Sequence, residues 1–120
     1  MKIHGNRILC VCNGGNCRSV ALAEVLKGVY GKEAIAAGTF WIGVESMAEL
    51  CRWADLILPV EPKEASLPER DLIRWRASPI WLDEFAHKRT IFPLGPDVWG
   101  HHKWEEIKSV CRDKIGVVFA

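Results

Sequence analysis

The feature that most constrains this chain is an apolar run that ends in a cysteine and leads through a glycine-containing loop to an arginine. The run extends from Ile8 to Cys12, the loop contains Gly14 and Gly15, and Arg18 stands six positions after the cysteine. From the arginine onward, apolar residues recur at helical spacing. A buried strand that turns through such a loop into a helix is typical of a parallel α/β domain with an anion-binding turn.

Strand and helix patterns alternate through the rest of the chain. The further predicted strands are residues 34–37, 55–60 and 89–94. The predicted helices are residues 18–30, 46–54, 78–85 and 104–115. This alternation predicts an α/β fold with a parallel sheet. A length of 120 residues, 49% of them hydrophobic, predicts a single domain that spans residues 1–120.

Composition excludes several classes of partner. The formal net charge of +1 gives no broad basic surface for nucleic acid or membrane lipid. The apolar segments are too short to span a membrane or to form a secretory signal. The five cysteines have no disulfide-framework spacing, which favours a reducing, cytoplasmic location. Neither the histidines nor the cysteines have metal-ligand spacing, and we predict no metal or cofactor.

The loop after the first strand has the residue types that phosphate chemistry requires. Cys12 supplies a sulfur nucleophile, and a helix N-terminus with a nearby cation stabilises its thiolate. Arg18 can hold two phosphate oxygens at once, and Ser19 can direct its hydroxyl at the sulfur. Backbone N–H groups of the loop between Cys12 and Arg18 would hold the remaining phosphate oxygens. The residues of this loop are Asn13, Gly14, Gly15, Asn16 and Cys17. The alternative is a tight turn with a buried cysteine.

The segment Val11-Cys12-Asn13-Gly14-Gly15-Asn16-Cys17-Arg18-Ser19, followed by Ala23-Glu24, resembles the V-C-x-G-N-x-C-R-S motif of the low-molecular-weight protein tyrosine phosphatases. The resemblance extends to Ala37-Gly38-Thr39 and to Ala54-Asp55-Leu56-Ile57. It implies a three-layer, flavodoxin-like fold with four parallel strands in the order 2-1-3-4. It also implies a cysteinyl-phosphate intermediate. In the family, the cysteine at the position of Cys17 can form a reversible disulfide with the nucleophile, here Cys12; an inert thiol at Cys17 is the alternative. The chain departs from the motif at Gly15, where the family has asparagine, and at Val20, where it has proline.

The leaving group of a phosphomonoester needs a proton donor. The family carries this acid in an Asp-Pro pair after the fourth strand, whereas this chain has Pro96-Asp97 on the corresponding loop. We therefore predict Asp97 as the acid, with Asp83 as the rival and a turn-forming or capping role for Asp97 as the alternative. Asp55 begins a strand, so we expect it at the opposite edge of the sheet.

Two tryptophans, Trp41 and Trp99, fall on loops expected near Cys12, where they either form an aromatic wall for the substrate or pack against the core. The function predicted is hydrolysis of phosphomonoesters, with a phosphorylated protein or a small aryl phosphate as substrate. The alternatives are an arsenate reductase-like redox enzyme, which needs further cysteines close together, and a catalytically weak phosphate-binding regulatory module. A sugar-transport phosphocarrier is disfavoured as a function, because such a protein does not need Arg18.

Overall fold

The computed structural model describes residue 3 and residues 5–13, 18–60, 68–94 and 104–119. Its strands are β1 (Arg7–Cys12), β2 (Glu33–Gly38) and β3 (Leu56–Pro59). Its α-helices are α1 (Arg18–Tyr30), α2 (Val44–Trp53), α3 (Glu69–Ala77) and α4 (Trp104–Val118). Two short 3-10 helices, Pro79–Trp81 and Asp83–Lys88, follow α3. None of the helices in this part of the chain is both long and apolar enough to cross a membrane.

The three strands form a parallel sheet in the order β2-β1-β3. The central strand β1 is covered on both faces, which explains its uninterrupted apolar sequence. Its residues Ile8, Cys10 and Cys12 share a core cluster with α1 and α4, while Leu9 and Val11 share another with α2 and α3. The α/β class and the parallel sheet between helices are confirmed, and the architecture is consistent with a flavodoxin-like fold.

The order of the strands brings their carboxyl ends together. The chain passes from β1 to β2 in one direction and returns across β1 to β3 in the other, and α1 and α2 accordingly cover opposite faces. Cys12 pairs with Gly38, and Val11 pairs with Pro59. The turns that follow these residues therefore meet at one edge of the sheet, which we call the carboxyl edge.

The expected fourth strand at residues 89–94 is wrong as a continuous strand. The segment lies beside β3 and runs parallel to it, but it pairs only through two isolated bridges, Ile57 with Arg89 and Val60 with Phe92. The described part of the chain thus contains three strands instead of four, with the predicted neighbour order preserved as far as β3.

Pro59 explains the interruption. In a strand, the N–H and the C=O of one residue point to the same side. The carbonyl of Pro59 accepts a 2.8 Å hydrogen bond from the N–H of Phe92, so the missing N–H of the proline also faces this segment. The ladder therefore loses the bond that would join the two bridges.

The expected helix at 78–85 is also wrong and is replaced by the two 3-10 helices. Ser78 caps the first of them, since its Oγ accepts a 3.4 Å hydrogen bond from the N–H of Ile80. Pro79 occupies the first helical position, as expected. The last helix is confirmed and runs to Val118.

Asp55 holds the opposite edge of the sheet together. Its Oδ2 accepts hydrogen bonds from the backbone N–H groups of Asn6 and Arg7, at 3.1 and 3.0 Å. The segment before β1 turns at Gly5, whose φ of +79° is in the left-handed region. The expectation that Asp55 lies away from Cys12 is confirmed, because it stands beside the start of β1 and Cys12 at its end.

We expect Gly5→Ala to lower the free energy of unfolding by about 2–4 kcal/mol. The new Cβ would overlap the Cβ of Asp55, and an L-residue is strained at this φ. Gly28→Ala is the matched control: its Cβ would meet nothing within 4 Å in the interior of α1, so about 0.5–1 kcal/mol of stabilisation is expected. Urea unfolding of both variants measures the difference, and equal effects would contradict this account of the turn.

Asp55→Asn should destabilise the protein in a pH-dependent manner. The backbone N–H groups of Arg7 and Asn6 lower the pKa of Asp55 below its ordinary value. A lowered folded-state pKa contributes stability above the unfolded pKa, and this contribution is lost as the pH falls through the folded-state value. The difference in unfolding free energy between wild type and variant should therefore shrink below about pH 4. Denaturation at pH 7, 5 and 3.5 tests this, and a constant difference would refute it.

Candidate functional site

Cys12 lies at the carboxyl end of β1 and faces the beginning of α1. Its Sγ is 3.0 Å from the Oγ of Ser19, the second residue of that helix. Ser19 is fully buried, and Cys12 is 3% exposed. The sulfur thus lies at a helix N-terminus, where amide dipoles favour an anion. The first turn of α1 contains no acidic residue that would oppose this effect.

Arg18 is the first residue of α1 and is only 4% exposed. An arginine stays charged at every physiological pH, and its planar group carries five N–H donors. A buried guanidinium one residue before Ser19 puts fixed positive charge at the same edge of the sheet as Cys12. The structure thus brings Cys12 and Ser19 into contact at the junction of β1 and α1, and it places Arg18 at the first position of that helix.

Several predicted site residues lie outside the described part of the chain. They are Gly14, Gly15, Asn16, Cys17, Asp97 and Trp99. The placement of the proposed acid, the predicted disulfide with Cys12 and one of the two predicted aromatics therefore stays a prediction. Asn13, the first residue of the loop, is described and partly buried.

The loop after β2 is hydrogen-bonded directly to the end of β1. The N–H of Thr39 donates to the carbonyl of Cys12 at 3.1 Å, and the N–H of Phe40 donates to the carbonyl of Asn13 at 3.0 Å. Trp41 follows and is 74% exposed, so core packing does not explain it. Its ring meets that of Phe40 edge to face at 4.7 Å. The predicted aromatic residue is therefore on the loop adjoining the candidate site.

Helix α3 adds two arginines to this loop, which sequence reasoning missed. Arg74 donates from Nη1 to the carbonyl of Phe40 at 2.7 Å. The guanidinium carbons of Arg70 and Arg74 lie 5.4 and 5.0 Å from the centre of the Phe40 ring. A cleft of about 410 Å³ runs from Thr39 along the loop to the end of α3. The available sequence signal was the spacing of the two arginines, since residues four apart lie on the same side of a helix. That spacing does not reveal that the arginines contact Phe40.

Oδ1 of Asn13 and Oγ1 of Thr39 are buried polar atoms without a hydrogen-bond partner among the described residues. Oδ1 of Asp71 also lacks a hydrogen bond there, although it lies within ion-pair distance of Nε of Arg70, at 3.5 Å. Asn13 and Thr39 adjoin Cys12, and Asp71 belongs to the first turn of α3, the helix whose Arg74 bonds to the neighbouring loop. Buried polar groups without partners are costly, and they are characteristic of functional sites. Asp71 is a buried carboxyl that the sequence analysis did not consider.

Cys10 and Cys51 are poor nucleophiles. Burial raises the pKa of Cys10 far above its ordinary value, with smaller contributions from the neighbouring Cys111 and Cys12. Burial also raises the pKa of Cys51 to about 11, although nearby basic residues partly oppose it. Within the described ranges, no three histidine, cysteine or acidic side chains are grouped to hold a metal ion.

The rival acid, Asp83, is exposed and begins the second 3-10 helix. That helix ends at Lys88, whose Nζ donates to the carbonyl of Ala54 at 2.8 Å. Ala54 precedes β3, so the helix leads towards the edge of the sheet opposite Cys12. This geometry gives Asp83 no support as the acid.

Comparisons of this chain with protein-family models, with curated proteins and with solved structures found no match. The resemblance to the low-molecular-weight phosphatases therefore depends on the residues of the chain itself, above all on the segment from Val11 to Ser19.

We expect Cys12 to react with iodoacetamide faster than Cys51 in the native protein at pH 7.5. With a pKa of about 11, Cys51 holds a very small thiolate fraction, and its alkylation should be about 100-fold slower than that of an ordinary thiol. Peptide mapping by mass spectrometry measures both rates, with denatured protein as the control for equal intrinsic reactivity. Modification of Cys51 at the rate of Cys12 would contradict the assignment of Cys12 as the reactive thiol.

Proposed function

We propose that this protein is a cysteine-dependent phosphomonoester hydrolase that acts on aryl phosphates, with phosphotyrosine in proteins as the substrate class. The observation that carries the proposal is the 3.0 Å contact between the sulfur of Cys12 and the hydroxyl of Ser19 at the N-terminus of α1. A turn without a catalytic role does not require a buried hydroxyl in contact with a sulfur. It also does not require a buried arginine next to that hydroxyl in the sequence.

The first step forms a cysteinyl-phosphate. The thiolate can only accept hydrogen bonds, so the hydroxyl of Ser19 donates to it, and the amide dipoles of α1 stabilise the same charge. The sulfur attacks phosphorus; the S–P bond forms, the P–O bond breaks, and its electron pair stays with the leaving oxygen. Arg18 holds two of the non-bridging oxygens as charge redistributes in the transition state.

The second step hydrolyses the intermediate. A water molecule attacks phosphorus, the S–P bond breaks, and the electron pair returns to the sulfur of Cys12 as inorganic phosphate leaves. Asp97 donates the proton to the leaving oxygen in the first step and takes a proton from the water in the second. Asp71 is a second acid to test, because it is a buried carboxyl on α3, the helix whose Arg74 bonds to the loop beside Cys12.

A redox function analogous to arsenate reduction gains little support from the described cysteines. Cys10 belongs to the same core cluster as Cys12 and Cys111. It is fully buried and its pKa is raised, so it is a poor participant in thiol exchange, which needs a thiolate with access to its partner.

We expect Cys12→Ser to abolish hydrolysis of p-nitrophenyl phosphate, since the hydroxyl is a far weaker nucleophile. Ser19→Ala should reduce kcat by about 10–100-fold, because a hydrogen bond to a charged group contributes about 1.5–3 kcal/mol. Asp97→Asn should reduce kcat by about 100-fold through loss of the acid. Steady-state kinetics with circular dichroism as the check on folding measures all three variants.

The controls separate the roles in this mechanism. Asp71→Asn is compared with Asp97→Asn on p-nitrophenyl phosphate and on phenyl phosphate, whose poorer leaving group depends more strongly on an acid. A larger loss in Asp71→Asn would transfer the acid to Asp71. Undiminished hydrolysis by Cys12→Ser would refute the mechanism. Binding of phosphate by the wild type without turnover of any aryl phosphate would favour a regulatory phosphate-binding module.

A further inference from the structure

We propose that a surface formed by Phe40, Trp41, Arg70 and Arg74 binds acidic side chains of a phosphorylated polypeptide substrate. We call it the arginine–aromatic surface. The inference rests on the proposed function, because it concerns the residues that flank the phosphotyrosine. It selects acidic phosphopeptides over free aryl phosphates as the substrate class.

The two arginines are held on one side of α3. Residues four apart on a helix are neighbours, and both guanidinium groups lie over the ring of Phe40, at 5.4 and 5.0 Å. Arg74 is fixed there by its hydrogen bond to the carbonyl of Phe40. The side chain of Arg70 is 77% exposed, so it can receive a ligand without rearrangement of the core.

This surface adjoins the candidate catalytic site through backbone hydrogen bonds. The N–H of Phe40 donates to the carbonyl of Asn13, which directly follows Cys12 in the chain. Because the loop after β2 is bonded to the end of β1, the residues that flank a phosphotyrosine held at Cys12 would pass over Phe40 and Trp41. Trp41, 74% exposed, offers an apolar face beside the arginines.

The acidic residues of α3 do not occupy the solvent-facing side of the Arg70 side chain, where a carboxylate of the substrate would bind. Oδ1 of Asp71 lies 3.5 Å from Nε of Arg70, but Asp71 is 8% exposed and its Oδ1 is fully buried. The terminal amino groups of Arg70 carry the other four of its five N–H donors. Glu69, the other acidic residue of α3, makes no ion pair with Arg70 in the described part of the chain. A carboxylate can thus pair bidentately with Arg70 from the solvent side.

The test compares phosphotyrosine peptides of equal length whose flanking residues are aspartate or glutamine. For the wild type at low salt, kcat/KM should be about three- to fivefold higher for the acidic peptide, the size expected of an exposed ion pair. In Arg70→Gln, the ratio should fall to about one. Arg112→Gln on α4 removes the same charge from an exposed position on the other face of the sheet and should keep the wild-type ratio. In 0.5 M NaCl, the wild-type ratio should decrease.

Two results would overturn the inference: a wild-type ratio of about one, or an equal decrease in Arg70→Gln and Arg112→Gln. Failure of the proposed function is distinguishable, since then no peptide is hydrolysed at all. In that case, fluorescence anisotropy of the same labelled peptides measures binding to wild type and Arg70→Gln. A preference for the acidic peptide that Arg70→Gln removes supports the surface without catalysis, and equal binding of both peptides refutes it.

Discussion

The contact between the sulfur of Cys12 and the hydroxyl of Ser19 joins the end of the central strand to the beginning of the first helix. Both groups are almost completely buried, so their mutual hydrogen bond satisfies polar atoms that water cannot reach. The contact lies at the N-terminus of α1, which faces the carboxyl edge. The rest of the site is arranged around this junction, because the loop after β2 is hydrogen-bonded to the backbone of Cys12 and Asn13.

The arginines near this junction differ in their surroundings and therefore in how strongly they can attract an anion. Arg18 is buried at a helix N-terminus, where it can act on an anion held close to the sulfur. Arg70 and Arg74 are exposed on a different helix and lie over an aromatic ring, where an attraction to carboxylates is weaker and sensitive to salt. In the proposed function, the inner arginine would act on the phosphoryl group, and the outer pair would recognise the chain that carries it.

The junction was predictable from sequence because its signals are local. An unbroken apolar run, two glycines and a helical pattern that starts at Arg18 are enough to define a strand, a turn and a helix. The fourth strand was not predictable in the same way, since its pairing depends on Pro59, about thirty residues earlier and on a different segment. Similarly, Asp71 and Arg74 gain their significance from how the helix after β3 packs on the loop after β2. No sequence spacing reports that packing.

The proline that interrupts the fourth strand also bears on how this protein behaves among other copies of itself. Residues 89–92 already lie along the outer side of β3, where the N–H groups of Thr90 and Phe92 donate to the carbonyls of Ile57 and Pro59. A strand from another molecule could pair at this edge only by displacing that segment. Because Pro59 has no N–H to donate, the incoming strand would still lack one hydrogen bond there, so the proline disfavours edge-to-edge pairing at β3.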